Sequence, residues 1–411
     1  MNRLFLGISF ALILTAQTAH AQYFGRNKPV YQKFDFKVIE TPHFDIYSYL
    51  KDRNEINRLS EWSELWYSMH QEVLRDTFTE KNPILFYNDH SDFQQTNAIS
   101  GSIGIGTGGV TEALKNRVVM PLTMTNQQTN HVLGHEMVHA FQYHMILNGD
   151  STNLTSLQNL PLWMVEGMAE YMSLGRYDAN TAMWMRDVVL NDKVPTLKDL
   201  FNPEFFPYRY GQAFWAFFSG LYGDEMIKPF FVATAKYGLL AAVQSVLHTN
   251  FETLSNQFKT ALETYYTPLL AEKKETSFGR KLVTDENGGK MNISPVVSPN
   301  GRYVIFLSEK ELITTDLYLA DTKDGKIIRK VSSRVKDGHL DNIDYLESSG
   351  TWSPDSKRFA FVAFKNGRNI LVIKDVSNGR TVEEIAPKNL QAFANPTWSP
   401  NGRSIVVAGL S

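Results

Sequence analysis

The chain has 411 residues, with 41 basic against 43 acidic side chains and no cysteine. That near-neutral balance gives no charge argument for nucleic acid, and the missing cysteines exclude disulfide staples and a lipid-attachment site. Hydrophobic residues at 43% and aromatics at 12% are enough for packed cores, and the length predicts two or more domains.

Residues 1–21 combine Arg3, an apolar run from Leu4 to Ala16 and the small-x-small ending Ala19-His20-Ala21. The run is too short to span a bilayer, so the pattern predicts a signal peptide cleaved before Gln22. No later stretch is apolar enough for a membrane helix. The expectation is an exported bacterial protein, periplasmic, secreted or cell-surface associated, that relies on core size rather than disulfides.

Residues 22–129 read as an α+β unit. Strand-type residues over 37–49, with Phe44 and Ile46 alternating, are interrupted at Pro42. Ile56, Leu59, Trp62, Leu65, Trp66, Met69 and Val73 recur every three or four positions, which predicts a helix over 54–78. Residues 83–87 form a second short strand. The glycine-rich run 100–109 lacks the Gly-Lys-Ser/Thr that completes a phosphate loop, so a loop beside a cleft is expected there. A further strand over 116–123, containing Val118-Val119-Met120-Pro121-Leu122, stands just before the motif that carries the chemistry.

That motif is His135-Glu136-Met137-Val138-His139. Apolar Val132, Leu133, Met137, Val138 and Phe141 interleave with the polar residues at helical spacing, predicting a largely buried helix. Four residues apart, His135 and His139 share a face and can point one nitrogen each at a zinc ion. Glu136 is displaced toward the metal's open side, where a general base is needed. Catalytic zinc usually has three protein ligands, and Glu166 supplies the third from a second helix. Glu170, four residues further on, can accept a hydrogen bond from a ligating histidine and fix its tautomer. His131 shares the face of His135 but is expected to line the cleft or support a ligand, because the three-ligand shell is already filled.

These paired motifs resemble the gluzincin metallopeptidases, and more narrowly the peptidase-MA-like domains related to aminopeptidase N and thermolysin. There His-Glu-x-x-His is followed by a helix carrying Trp-Leu-x-Glu-Gly-x-Ala, and Trp163, Glu166, Gly167 and Ala169 occupy those positions. The resemblance implies that an edge strand just before the metal helix, here 116–123, pairs with an extended peptide substrate. It also implies a Gly-x-Met-Glu-Asn segment whose glutamate grips a free amine. Gly108-Gly109-Val110-Thr111-Glu112 lies near that place, with its glutamate one position out of register and no asparagine. Glu112 is thus either that amine-binding group or an ordinary loop carboxylate. A tyrosine three residues before a helical glycine is implied as the stabiliser of the oxyanion. Tyr208 has that offset from Gly211, with Tyr210 or a purely structural aromatic as alternatives. Arg209 between them is read as a surface residue or a contact to a substrate carboxylate. The helical stretch 224–270 is expected to pack behind the site.

Residues 271–289 form a charged linker, beyond which turns and strands take over. Ser-Pro turns at Ser298, Ser353 and Ser399 recur at intervals of 55 and 46 residues, each followed by an apolar strand. Residues 290–411 thereby resemble a TolB-type β-propeller, with two blades and the first strand of a third. Propellers close with four or more blades, so the sequence is expected to be a piece of a longer protein. The expected fold is an α+β gluzincin-type metallopeptidase domain, built from 22–129 and a mostly helical zinc-site part 130–270, followed by an incomplete all-β propeller. The expected partners are a peptide or protein substrate and a protein held by the propeller. The expected function is zinc-dependent peptide hydrolysis. Its rivals are a catalytically silent scaffold and a zinc hydrolase of another amide or ester.

Overall fold

A computed structural model of the protein describes residues 30–147, 149–271, 279–311, 314–333, 335–344, 349–390 and 392–410. The expected signal peptide and the expected cleavage before Gln22 lie outside the described residues, as does part of the expected linker.

Pro42 has no N–H to give a ladder, and the chain turns there. The single interrupted strand expected over 37–49 is an antiparallel hairpin of β1 (Lys37–Glu40) and β2 (Phe44–Ser48). Helix α1 (Arg53–Leu74) starts at Asp52, whose carboxylate accepts from the Asn54 N–H, and buries Leu59, Ser63, Trp66, Tyr67, His70 and Leu74 along one face. Strand β3 (Asn82–Tyr87) and the single-turn helix α2 (His90–Phe93) follow. The glycine-rich loop then leads into β4 (Val110–Glu112) and β5 (Arg117–Pro121).

The five strands make one sheet in the order β1-β2-β3-β5-β4, parallel from β2 through β3 to β5, with antiparallel strands at both edges. This corrects the expected edge strand. The segment 116–123 contributes an interior strand, and β4 is the edge beside the helix that carries His135 and His139. The reason is burial on both faces: Val118, Val119 and Met120 are all fully buried. An unbroken apolar run belongs between two neighbours, whereas an exposed edge needs alternation.

Helix α3 (Asn126–Leu147) packs on β4 and β5, and α4 (Leu162–Leu174), α5 (Ala179–Leu190), α6 (Pro207–Tyr222), α7 (Ile227–Tyr237), α8 (Leu239–Leu247) and α9 (Phe251–Leu270) pack with it and on one another. One core runs from Phe44, Ile84 and Met120 on the sheet through Phe141 and Trp163 to Phe214, Phe230 and Phe258. The last helices pack behind the site, with Phe258 of α9 against Phe214 and Phe217 of α6.

Beyond the linker, β6 (Asn292–Val297), β7 (Tyr303–Glu311), β8 (Thr314–Asp321) and β9 (Ile327–Ser332) form one antiparallel four-stranded blade. A second contains β10 (Asn342–Ile343), β11 (Thr351–Trp352), β12 (Arg358–Phe364), β13 (Asn369–Asp375) and β14 (Thr381–Ile385). A pair, β15 (Ala392–Trp398) and β16 (Ile405–Leu410), begins a third, one strand more than expected. Each Ser-Pro repeat is the turn between two antiparallel strands. The serine hydroxyl reaches a side chain two residues on: Ser298 to Asn300 at 2.7 Å, Ser353 to Asp355 at 2.6 Å and Ser399 to Asn401 at 2.8 Å. The sheets are separate and do not close on one another. The second blade sits on α2, with Ser91 Oγ 3.3 Å from Asn369 Oδ1 and the Asn369 amide donating to the Phe393 carbonyl at 2.8 Å.

Candidate metal centre

Helix α3 is buried from Leu133 to Gln142, and α1 lays the Trp66 ring directly against its backbone at Gly134. A Cβ on Gly134 would stand 2.6 Å from the Trp66 ring. The Trp66 indole donates to the Asn130 carbonyl at 3.0 Å, and the fully buried His70 meets the Gly134 carbonyl at 3.0 Å. His70 therefore belongs to the core, where burial pushes its pKa down to about 4. The close approach leaves one polar face on α3, along which His131, His135 and His139 succeed one another.

A second close approach brings the other half of the site. A Cβ on Gly167 of α4 would fall 2.2 Å from the Gly211 carbonyl carbon, and one on Gly211 would fall 2.0 Å from the Trp163 oxygen. Only glycine permits this crossing. It lays the first turn of α6, opened by Pro207, across Glu166 and Glu170 of α4.

Three ligand-type atoms converge between α3 and α4. His135 Nε2 is 3.2 Å from His139 Nε2, and Glu166 Oε2 is 3.3 Å from each. The other nitrogen of each ring faces an acceptor. His135 Nδ1 lies 3.0 Å from Glu170 Oε1, and His139 Nδ1 lies 2.9 Å from Gln142 Oε1. The Gln142 amide donates to the Val165 carbonyl at 3.0 Å, which leaves its oxygen toward His139. With protons on both Nδ1 atoms, the two Nε2 lone pairs and a carboxylate point at one another with no donor between them. Such a set is repulsive unless a cation lies among its members, either a metal ion or a proton on Nε2 facing Glu166. Bonds of about 2.0–2.1 Å at tetrahedral angles put zinc ligands roughly 3.3 Å apart, which is the side of this triangle. The residues fit the ion.

The electrostatics agree with the geometry. Burial works against a charged imidazole, yet hydrogen bonds to Glu166 and Glu170 and the charge of Glu136 lift His135 to about 10 in the metal-free site. Burial likewise opposes ionised carboxylates, but the histidines hold Glu166 and Glu170 well below the usual range. The carboxylates thus favour a cation, proton or metal, at the histidine nitrogens.

Glu136 does not join the triangle. Its carboxylate accepts from the Thr111 hydroxyl at 2.7 Å, and the same hydroxyl lies 2.9 Å from its backbone oxygen. Gly109, just before β4, lets Glu136 pack this close, since a Cβ there would come 2.8 Å from Glu136 Cγ. Tyr143 stands nearby, its phenol pushed up to about 12 by burial and by the charges of Glu136 and Glu166. Of the two tyrosines left open by sequence, Tyr208 lies against the site, its ring stacked on His135 with centroids 5.7 Å apart. Burial and the Glu166 carboxylate push its phenol pKa up. Tyr210 turns away to pack edge-on against Phe205 and Trp184.

Two placements, those of Arg209 and Glu112, differ from the sequence reading. Arg209 is no surface residue: Nη1 lies 2.9 Å from Glu170 Oε2 and 3.4 Å from Asp178 Oδ1. His131 is outside the triangle, with Nε2 3.2 Å from Glu170 Oε1, so Glu170 serves His131, His135 and Arg209 together. Glu112 stands on a strand rather than in a loop and is paired with Arg117, its cross-strand neighbour, at 2.6 Å. Sequence reasoning missed Gln142 and Thr111. Gln142 leaves a faint signal, a polar residue three positions after His139 with Phe141 and Tyr143 on either side.

No family model matches the chain. Over 112 residues it is 30% identical to the Tol-Pal system protein TolB of Ruthia magnifica subsp. Calyptogena magnifica, a stretch that is 26% of each chain. Over 122 residues it is 27% identical to dipeptidyl-peptidase 5 of Arthroderma otae, covering 27% of this chain and 17% of that protein. The chain thus spans about a quarter or less of the length of these curated relatives. Among solved structures, TolB from Acinetobacter baumannii aligns over 31% of this chain and 28% of its own, at 17% identity and a TM-score of 0.24. A putative TolB from Agrobacterium tumefaciens aligns over 27% and 35%, at 20% identity and a TM-score of 0.21. Taken with the blades, the curated likeness gives the chain a TolB-type β-propeller part.

Proposed function

We propose that the chain is an exported zinc-dependent metallopeptidase of the gluzincin type, carrying a β-propeller as a binding or gating module. The observation that carries this reading is the triangle of His135 Nε2, His139 Nε2 and Glu166 Oε2, whose sides of 3.2–3.3 Å suit tetrahedral zinc. When bound, zinc supplies Lewis acidity, making water acidic enough to lose a proton near neutral pH and drawing charge onto a carbonyl oxygen. Glu136, steadied by Thr111, takes the proton of the attacking water and delivers it to the leaving amine. Tyr208 donates a hydrogen bond to the oxyanion. Glu170, held by Arg209, keeps His135 in its working tautomer. The open edge of β4 runs beside Glu136 and suits an extended peptide added as a further strand.

The export assignment rests on residues 1–21. Among the described residues, no helix is long and apolar enough to cross a membrane. The likeness to TolB favours one rival, a protein-binding propeller whose helical domain is a silent scaffold. Metal analysis and hydrolysis of a mixed peptide library, read by mass spectrometry on the chain and on Glu136→Gln, separate the two. One zinc in each protein with cleavage lowered about 10²–10⁴-fold in the variant supports the peptidase. Zinc without any cleavage supports the scaffold.

A further inference from the structure

We propose that this site cuts internal peptide bonds and needs neither end of its substrate to be free. The inference rests on the peptidase reading and concerns how the substrate is held. An enzyme that trims ends grips the terminal charge: a carboxylate in the cleft for an α-ammonium, or a cation for an α-carboxylate. The two residues that stand nearest those roles are turned away from the cleft or already engaged.

Glu112 faces away from the metal. Successive side chains of a strand point to opposite faces, and Thr111 points at Glu136. Val110 and Glu112 therefore share the other face, where Val110 packs with Tyr87, Phe93 and Val119. On that face the Arg117 guanidinium holds Glu112, with Nη2 at 2.6 Å and Nε at 2.8 Å from the same carboxylate oxygen. Arg117 is itself anchored by donating to the Ala98 carbonyl at 2.9 Å. Swinging Glu112 into the cleft would reverse the pleat of β4 and strand the arginine.

Arg209, the cation beside Tyr208, is equally committed. It binds Glu170 at 2.9 Å and its side chain is only 19% exposed. Drawing it toward a substrate carboxylate would leave Glu170 without its guanidinium partner in a buried pocket. What the cleft does offer is backbone: β4, the last strand of the sheet, runs past Glu136. Strand addition grips main chain along its length and is indifferent to where the peptide ends.

The test uses the zinc-loaded full chain, with Glu136→Gln as the blank, and two mixtures of the same decapeptides. One mixture has free ends; the other is N-acetylated and C-amidated. The expected result is cleavage of both at the same internal positions, with rates within about threefold, since no charged end is read. Cuts confined to the free-ended mixture and clustered at the first or last bonds, with blocking costing about 100-fold or more, would overturn the inference while leaving the peptidase standing. Failure to cut either mixture would remove the peptidase reading and the inference with it.

Discussion

Glu170 is the residue on which most of the candidate site depends. One oxygen faces His131 and His135, and the other takes the Arg209 guanidinium. Removing Arg209 leaves a buried carboxylate short of a donor and His135 less firmly oriented. Arg209→Met is therefore expected to weaken zinc binding about 10–100-fold, with Arg209→Lys recovering part of the loss; competition against a chelator measures it. Unchanged affinity in Arg209→Met would show that Glu170 needs no such support. His135, His139, Glu136, Glu166 and Glu170 were legible in the sequence because each helix writes its own spacing. Arg209, Gln142 and Thr111 were not. Thr111 and Arg209 act across elements that no local pattern links, and Gln142 depends on the Val165 carbonyl of another helix to aim its oxygen.

At the scale of elements, the crossing of α4 and α6 decides where Tyr208 and Arg209 stand. Alanine normally favours a helix over glycine by about 1 kcal/mol. Gly211→Ala should reverse that sign, because its Cβ would stand 2.0 Å from the Trp163 carbonyl. A loss of about 1–3 kcal/mol in urea unfolding is expected, together with weaker zinc binding as the helices part. A gain in stability would mean that the helices do not approach so closely. The same crossing explains why Tyr208 and Tyr210 were inseparable by sequence. Both occupy the first turn of one helix, and only the partner helix determines which ring meets His135. The sheet edge illustrates the converse. The unbroken apolar run of β5 already signalled an interior strand, but β4, with three residues, is too short to leave a periodic trace.

Across the whole molecule, the blades meet the α+β part at α2, beside a pair of buried carboxylates. Asp92 accepts from the Gln32 amide at 2.6 Å and the Tyr49 hydroxyl at 2.5 Å. Burial and the charge of Asp89 push its pKa up to about 7. The folded chain thus binds this proton more tightly than the unfolded chain, whose carboxyl titrates near 3.8. Its stabilising contribution is present below that value and is lost as pH rises toward 7. The urea midpoint of the wild type relative to Asp92→Asn should therefore fall between pH 4.5 and pH 7.5, and a pH-independent difference would show that Asp92 titrates normally. The Ser-Pro turns made the blades readable, since each repeat builds the same hairpin. Their seating on α2 through Asn369 was not readable, because it joins residues 278 apart in sequence.

The most direct measurement is X-ray absorption at the zinc edge on the stoichiometrically loaded chain and on Glu166→Ala. The expected spectrum is that of one zinc per chain with nitrogen and oxygen ligands at about 2.0–2.1 Å, including scattering from two imidazoles, and no stoichiometric zinc in the variant. Zinc that binds without imidazole scattering, or equally well in Glu166→Ala, would contradict a centre built from His135, His139 and Glu166.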